Sequence, residues 1–440
     1  FFLMIRRPPR STLFPYTTFF RSLGQLLDIV PNHMGVLEAD NRWWLDVLEC
    51  GPASVHARTF DIEWHPPEPE LRGRVLLPVL GDHYGRVLEA GELKLAFDPD
   101  SGEFAVHYHA HRFPIDPRDY PAILGAAAPV PGDDSVRILL AVQSLLDALG
   151  QLPDRNTADE GDRARRQRDK VLLKQQLAEL HRSHEWIRLW VHGTVQQLNG
   201  QPGNASSLDG LDALLRRQAY RLAFWRVAGD DVNYRRFFDV STLAAVRMED
   251  ESVFELTHQT VMQWVDEGLV QGLRIDHPDG LSDPQAYFVQ LQSRHVAMQV
   301  ARDVQPRALY IAVEKILAEH ERIPPDWPVH GGTGYRFANL VNGLFVDASQ
   351  EAEMNAAYAG FVRQIPDFDR ILQDAKRLIM STSLASDLQI LTEALHRVAA
   401  MDRRTCDFTR KRLREALTEV AVGHPVYRTY IGEQGVSTVD

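Results

Sequence analysis

The chain has 440 residues, 44% of them hydrophobic and 25% charged, with a formal net charge of −12. That length predicts two or three domains with separate cores, and the acidic balance argues against nucleic acid or an anionic membrane surface as a partner. No run approaches eighteen apolar residues, which argues against a membrane-spanning segment, and two cysteines (Cys50 and Cys406) without a CxxC pair argue against a zinc site or disulfide framework and for a reducing cytoplasm.

Residues 1–22, FFLMIRRPPRSTLFPYTTFFRS, carry Arg6, Arg7, Arg10 and Arg21 and no acid. Arg6-Arg7-Pro8-Pro9 breaks the apolar run where a signal peptide would continue it. The string resembles translated sequencing-adapter read-through and is expected to be a non-native leader, with the native chain beginning upstream of Leu23. Next, LGQLLDIVPNH (23–33) runs apolar and then delivers polar groups, as a buried strand entering a loop would. From Gly35 to about Glu249 the rhythm changes. Residues 35–120 are rich in Pro, Gly and aromatics and read as strands and loops. Helices are expected over 162–198, whose mixed-charge start predicts a solvated face, and over 207–228. A connection this long is not structureless inside a compact protein, so 35–249 is expected to be an inserted subdomain.

DESVFELTHQTVMQWVDEGL (250–269) then reads as an amphipathic helix stopped by Gly268. GLVQGLRIDHPDG (268–280) repeats the pattern of a strand ending in polar groups, and ALYIAVEKIL (308–317) repeats it again. Between them, 284–304 has helical spacing, which makes a strand–helix–strand unit. Continuous apolar runs of this length suit parallel strands buried on both faces. Residues 346–440 are expected to be mainly helical.

In parallel α/β folds functional groups collect at the carboxyl ends of strands. Asp276 and Glu314 both take that position, one strand–helix unit apart. Neighbouring strands lie ~5 Å apart, so two such carboxyls can face each other at the ~5–5.5 Å of a retaining glycosidase pair. Arg274 shares a strand face with Asp276 and is expected to keep it ionised, as a nucleophile must be. Glu314 follows Ala312-Val313, an apolar surround that is expected to raise its pKa toward that of a general acid. A single carboxyl after a strand would be a cap or a surface ion pair; three strands ending alike point to a site.

DIVPNH (28–33), GLRIDH (272–277) and VEKI (313–316) resemble the first three of the four short signatures of the α-amylase superfamily. The resemblance implies Asp276 as nucleophile, Glu314 as acid/base, Arg274 orienting Asp276, Asn32 and His33 lining the sugar subsite, His277 as an acceptor-side contact and Asp28 as a structural group. Longer stretches, among them NYRRFFDVSTLAAVRMED and VEKILAEHERIPPDWPVHGGTGYRF, are similar to the malto-oligosyltrehalose synthase family from about Leu23 to Arg428. That family's Gly-Thr-Thr-Gly-Tyr-Asp-Phe appears here with Gly332 and Arg336 substituted, around Tyr335 as a sugar contact, and His424 stands where a Phe is usual.

The implied fold is α/β: part of a (β/α)8 barrel, about strands 3–5. Strand 3 falls at 23–34 and a large insert at 35–249. The segment from barrel helix 3 through strand 5 covers 250–345, and a helical region covers 346–440. The implied reaction converts the reducing-end α-1,4 linkage of a maltodextrin to an α,α-1,1 linkage by intramolecular transfer, without cofactor or metal. Trp43, Trp44 and Tyr84 in the insert fit either a lid that excludes water or that subdomain's own core. Rival readings are an α-glucan hydrolase or transferase of the same superfamily, or a non-catalytic carbohydrate-binding protein.

Weaker constellations carry less. His107, His109 and His111 alternate as on one strand face, but no acid or cysteine accompanies them as a metal ligand. Gly331-Gly332-Thr333-Gly334 lacks the spacing of a phosphate loop. The superfamily also uses a third carboxylate in a His-Asp pair, and no His-Asp dipeptide occurs in the 440 residues. The chain is therefore expected to be a piece of a longer enzyme, inactive alone, with Asp279 open between loop capping and sugar binding.

Overall fold

The structure is a computed structural model, and it describes residues 24–37, 41–125, 135–363, 367–431 and 435. The expected leader, 1–22, lies outside the described residues. The chain divides into two compact units. One comprises the described residues of Phe1–Asn32, Met248–Met354 and Arg428–Asp440; the other comprises those of His33–Arg247 and Asn355–Tyr427.

The first unit is built on four parallel strands in the order β1 (Leu26–Ile29), β2 (Gly272–Ile275), β3 (Tyr310–Val313) and β4 (Gly331–Gly332). Their register puts Asp28, Arg274 and Ala312 on one rung and Ile29, Ile275 and Val313 on the next. Helix α1 (Glu251–Asp266) precedes β2, and α2 (Pro284–Ala301) links β2 to β3. Each begins at an aspartate whose carboxylate accepts a backbone N–H of the first turn: Asp250 from Ser252, Asp283 from Ala286. Leu273, Ile275, Ile311 and Val313 are fully buried, and Phe254 of α1 with Tyr287, Phe288 and Leu291 of α2 are buried as well. Gly272 sits where the rung with Leu26 and Tyr310 is tightest; an added Cβ there would lie 2.8 Å from the Tyr310 carbonyl oxygen. The expectation of strands buried on both faces holds for β2 and β3 but not for β1. As an edge strand in the described sheet it leaves Leu26 and Asp28 exposed. β4 has two residues, too few to leave a sequence pattern.

The second unit carries three small sheets and most of the helices. Lys94–Asp98, Glu103–Tyr108 and His111–Pro114 form an antiparallel meander. His33–Gly35 pairs with Val240–Ala245, which also pairs with Arg236–Phe237. Val75–Leu80 pairs in parallel with Tyr220–Phe224. This last pair corrects the helix expected over 207–228. The helix ends at Leu215, and the stretch Tyr220-Arg221-Leu222-Ala223-Phe224 becomes a strand because VLLPVL offers it an apolar partner edge. Residues 162–198 form two helices, Glu160–Ser183 and Glu185–Leu198, broken at His184.

Trp44 lies in the core of this unit, fully buried edge-on against Phe60 and Tyr234. Trp43 stacks on His56 and the Tyr84 hydroxyl donates to Asp212, so these aromatics bind the unit together from within. The three histidines do not share a strand face. His107 and His111 sit on opposite arms of a hairpin whose turn holds His109 at φ +51°.

The mixed-charge face expected to be solvated is instead partly buried. Arg166, Lys170 and Lys174, spaced by one helical turn, point inward. Arg166 donates to Asp116 at 2.6 Å, Lys170 to Asp46 and Glu49, and Lys174 to Glu49 at 2.8 Å and Glu103 at 2.7 Å. Asp46, Glu49 and Cys50 approach one another closely enough to ligate a metal, but the Lys170 ammonium stands among them, 3.1 Å from the Cys50 sulfur.

Burial alone would raise the Glu49 pKa, yet the two ammoniums and their hydrogen bonds outweigh it and hold the carboxyl at about 2. A depressed folded pKa stabilises the fold above the unfolded value and is lost as pH falls through that window. On the order of 3 kcal/mol is therefore expected to disappear between about pH 4.5 and pH 2. Urea unfolding followed across that range checks this. Glu49→Gln should be less stable at pH 7 and decline less steeply in acid; a variant that loses stability as steeply as the parent contradicts the assignment.

Among the described residues no helix is long and apolar enough to cross a membrane.

Candidate active site

The carboxyl ends of β1, β2 and β3 place the chemistry. The Asp276 N–H donates to the Ile29 carbonyl and the Glu314 N–H to the Ile275 carbonyl, both at 2.8 Å. The parallel ladder therefore runs one residue past Ile275 and Val313 and delivers both carboxyls at the same level. Arg274, one rung below, turns its guanidinium across the strand ends. Nη1 donates to Asp28 Oδ1 at 2.8 Å and to Asp276 Oδ1 at 2.6 Å, and Nη2 lies 3.3 Å from Glu314 Oε2. One cation thus serves three carboxylates, and its own pKa is raised because those charges outweigh its partial burial.

Two further donors converge on Glu314. The Tyr335 hydroxyl, from the first residue of α3 (Tyr335–Gly343), donates to Oε1 at 2.9 Å, and the His277 N–H donates to Oε2 at 3.2 Å. His277 can aim its amide there because it takes a left-handed conformation, φ +42° and ψ +55°, immediately after Asp276. Arg336 beside Tyr335 is exposed.

The distribution of charge differs from the expectation. Asp276 and Glu314 flank the same guanidinium, and each carboxyl shifts the ionisation of the other. Burial raises Asp276, and the Glu314 charge adds to that against the pull of Arg274. Burial also pushes Glu314 upward, but the donors Tyr335, His277 N–H, Asp276 and Arg274 together bring it below its ordinary value. The shifts of the two carboxyls in the free site therefore run opposite to the expectation. The expectation weighed one neighbour per carboxyl; the fold supplies Glu314 with more donors than Asp276.

The other expected site residues have these surroundings in their own units. Asn32 is buried, its side-chain amide pressed against the Gly280 backbone, where an added Cβ would meet it at 2.5 Å. His33 opens the second unit, pairing with Ala245 and stacking on Phe237 at 4.1 Å between ring centroids. The buried carboxylate of Asp279 accepts from Lys315 at 3.2 Å and from the Tyr430 hydroxyl, contacts that suit a loop anchor. Sequence reasoning missed Lys315, Arg428 and Tyr430. The Lys after Glu314 was the available signal, a charged residue in a stretch that should be buried.

A strand–helix sheet that gathers an arginine and an acid pair at its strand ends places this unit among the α/β folds. No protein-family model matches the chain. It is similar to proteins of two Mycobacterium tuberculosis strains that bear the provisional name maltooligosyl trehalose synthase, at 28% identity over 393 residues, 87% of this chain and 35% of theirs. In three dimensions it is similar to maltooligosyltrehalose synthase from Arthrobacter ramosus, with 30% identity and a TM-score of 0.60, covering 94% of this chain and 39% of that one. Over most of its own length the chain is thus similar to maltooligosyltrehalose synthases, and it spans about a third of the length of the curated relatives it matches.

Proposed function

We propose that this chain carries the nucleophile and the acid/base of a maltooligosyltrehalose-forming enzyme, on strands that correspond to about strands 3–5 of a (β/α)8 barrel. The observation that carries the reading is the convergence of Arg274, Asp276 and Glu314 at one level of the sheet. The substrate is a maltodextrin. Glu314 protonates the oxygen of its last α-1,4 linkage, and Asp276 attacks the anomeric carbon to form a glycosyl ester. The released glucose turns in place; Glu314 takes the proton of its anomeric hydroxyl, and that oxygen displaces Asp276 to give an α,α-1,1 end. Two inversions give net retention.

A sugar entering between Asp276 and Glu314 separates them and leaves Asp276 facing Arg274, which favours the Asp276 carboxylate and leaves Glu314 to carry the catalytic proton. Asp28 holds the far side of the guanidinium, Tyr335 and His277 steady Glu314, and Asn32 supports the loop from behind. Two free cysteines, one buried and one exposed, suit a cytoplasmic setting.

Transglycosylation also needs a third carboxylate that the sequence does not offer in a His-Asp pair, so the 440 residues alone are expected to bind maltopentaose without appreciable turnover. The test uses a polypeptide carrying residues 24–431 within the full length of the synthases, incubated with maltopentaose. Reducing ends should vanish without release of free glucose. Rising reducing power would make the enzyme a hydrolase, and trehalose-end formation by the 440 residues alone would overturn the claim of inactivity.

A further inference from the structure

Glu314 and Lys315 are consecutive, yet they face different surroundings. Glu314 is turned to the site, whereas the Lys315 side chain is almost fully buried. Its ammonium lies 3.2 Å from Asp279 and 3.5 Å from Glu321, and 5.1 Å above the ring of Tyr430. The Tyr430 hydroxyl donates to Asp279, and its ring packs edge-on against Trp327 at 5.1 Å. Arg428, 149 residues from Asp279 in sequence, donates through Nη1 to the carbonyls of Asp279 at 2.8 Å and Leu281 at 2.6 Å. The turn 278–282 is thus fastened both by its Asp279 side chain and by its backbone.

This turn begins at His277, the residue whose left-handed backbone aims an N–H at Glu314. A histidine in that conformation costs about 1 kcal/mol or more and persists only where the surroundings over-determine it. A buried Lys–Asp pair is no efficient source of stability, because apolar side chains of similar size do as well or better. What the pair does supply is a fixed distance between the end of β2 and the end of β3. The two strand ends are tied together directly behind the two carboxyls.

We propose that Lys315, Asp279, Arg428 and Tyr430 are positioning residues for Glu314: they hold the 277–282 turn so that the His277 amide stays on the Glu314 carboxylate. The inference rests on the reading of Glu314 as the acid/base, and its test is independent of turnover.

The 440-residue chain with 13C-labelled glutamate carboxyls reports the Glu314 titration, assigned by its loss in Glu314→Gln, while amide exchange reports the His277 hydrogen bond. In Arg428→Gln and Tyr430→Phe, His277 exchange should quicken about tenfold, the worth of one such bond, and the Glu314 midpoint should move up. Removing Asp279 or Lys315 alone strands a buried charge and risks the fold, so the double variant Asp279→Asn/Lys315→Met is used for that pair. The same two changes are expected there. A folded variant that keeps the parent's exchange rate and midpoint overturns the proposal. Sugar transfer surviving Glu314→Gln would instead overturn the reading of Glu314 and leave this result standing.

Discussion

Asp276→Asn is expected to stop sugar transfer while leaving maltodextrin binding nearly intact. An amide cannot form the glycosyl ester, so the two-step route closes, and the loss should be on the order of 10,000-fold or more, as when a nucleophile is removed elsewhere. The shape of the site should survive. Arg274 still has Asp28 and Glu314 as partners, and the new amide matches the carboxyl in size. Transfer assays and calorimetric binding of maltopentaose, both on the full-length polypeptide, separate the two effects. Unchanged transfer would remove Asp276 from the mechanism.

The second large effect is at Arg274. Replacing it by methionine leaves Asp28, Asp276 and Glu314 converging without a cation. Transfer should fall about 100- to 1000-fold, the range for loss of a preorganised charge. Stability at pH 7 should drop by about 2 kcal/mol, since charge-assisted hydrogen bonds of a partly buried group are lost. The pH dependence follows in sign. Asp276 is already raised, and without the guanidinium it rises further, so the folded state holds a proton that the unfolded state has released. The variant should therefore recover part of its lost stability as pH falls from 7 through that raised pKa. A variant equally destabilised at pH 7 and pH 5 would show that Arg274 acts by packing alone. Arg274→Lys should restore the charge but only part of the transfer rate, because an ammonium cannot span three carboxylates as the fork does.

The site's skeleton was readable from sequence because strand ends are informative. Apolar runs that stop at Asp276 and Glu314 fix both strands and the level at which the two carboxyls emerge, with Asp28 one rung lower inside β1. What a linear reading misses are partners brought from afar. The lowering of Glu314 depends on the Tyr335 hydroxyl and on a backbone N–H of His277, neither of which a pattern of residue types reveals. Asp279 was ambiguous until Arg428 and Tyr430 arrived from the far end of the chain. Arg166, Lys170 and Lys174 looked like a solvated face because their acids lie 50 to 125 residues away. Tyr220–Phe224 reads as helix for the same reason, since its neighbours on both sides favour helix and only the strand Val75–Leu80 decides otherwise.

The most direct test of the central claim traps the intermediate. In Glu314→Gln, within the full-length polypeptide, a maltosyl fluoride needs no acid to depart, so Asp276 can still be glycosylated, but no base remains to complete the second step. Peptide mass spectrometry should then find one maltosyl unit on the peptide containing Asp276, and none in Asp276→Asn/Glu314→Gln. A label on another residue, or the same label in the double variant, would contradict the assignment of Asp276 and Glu314.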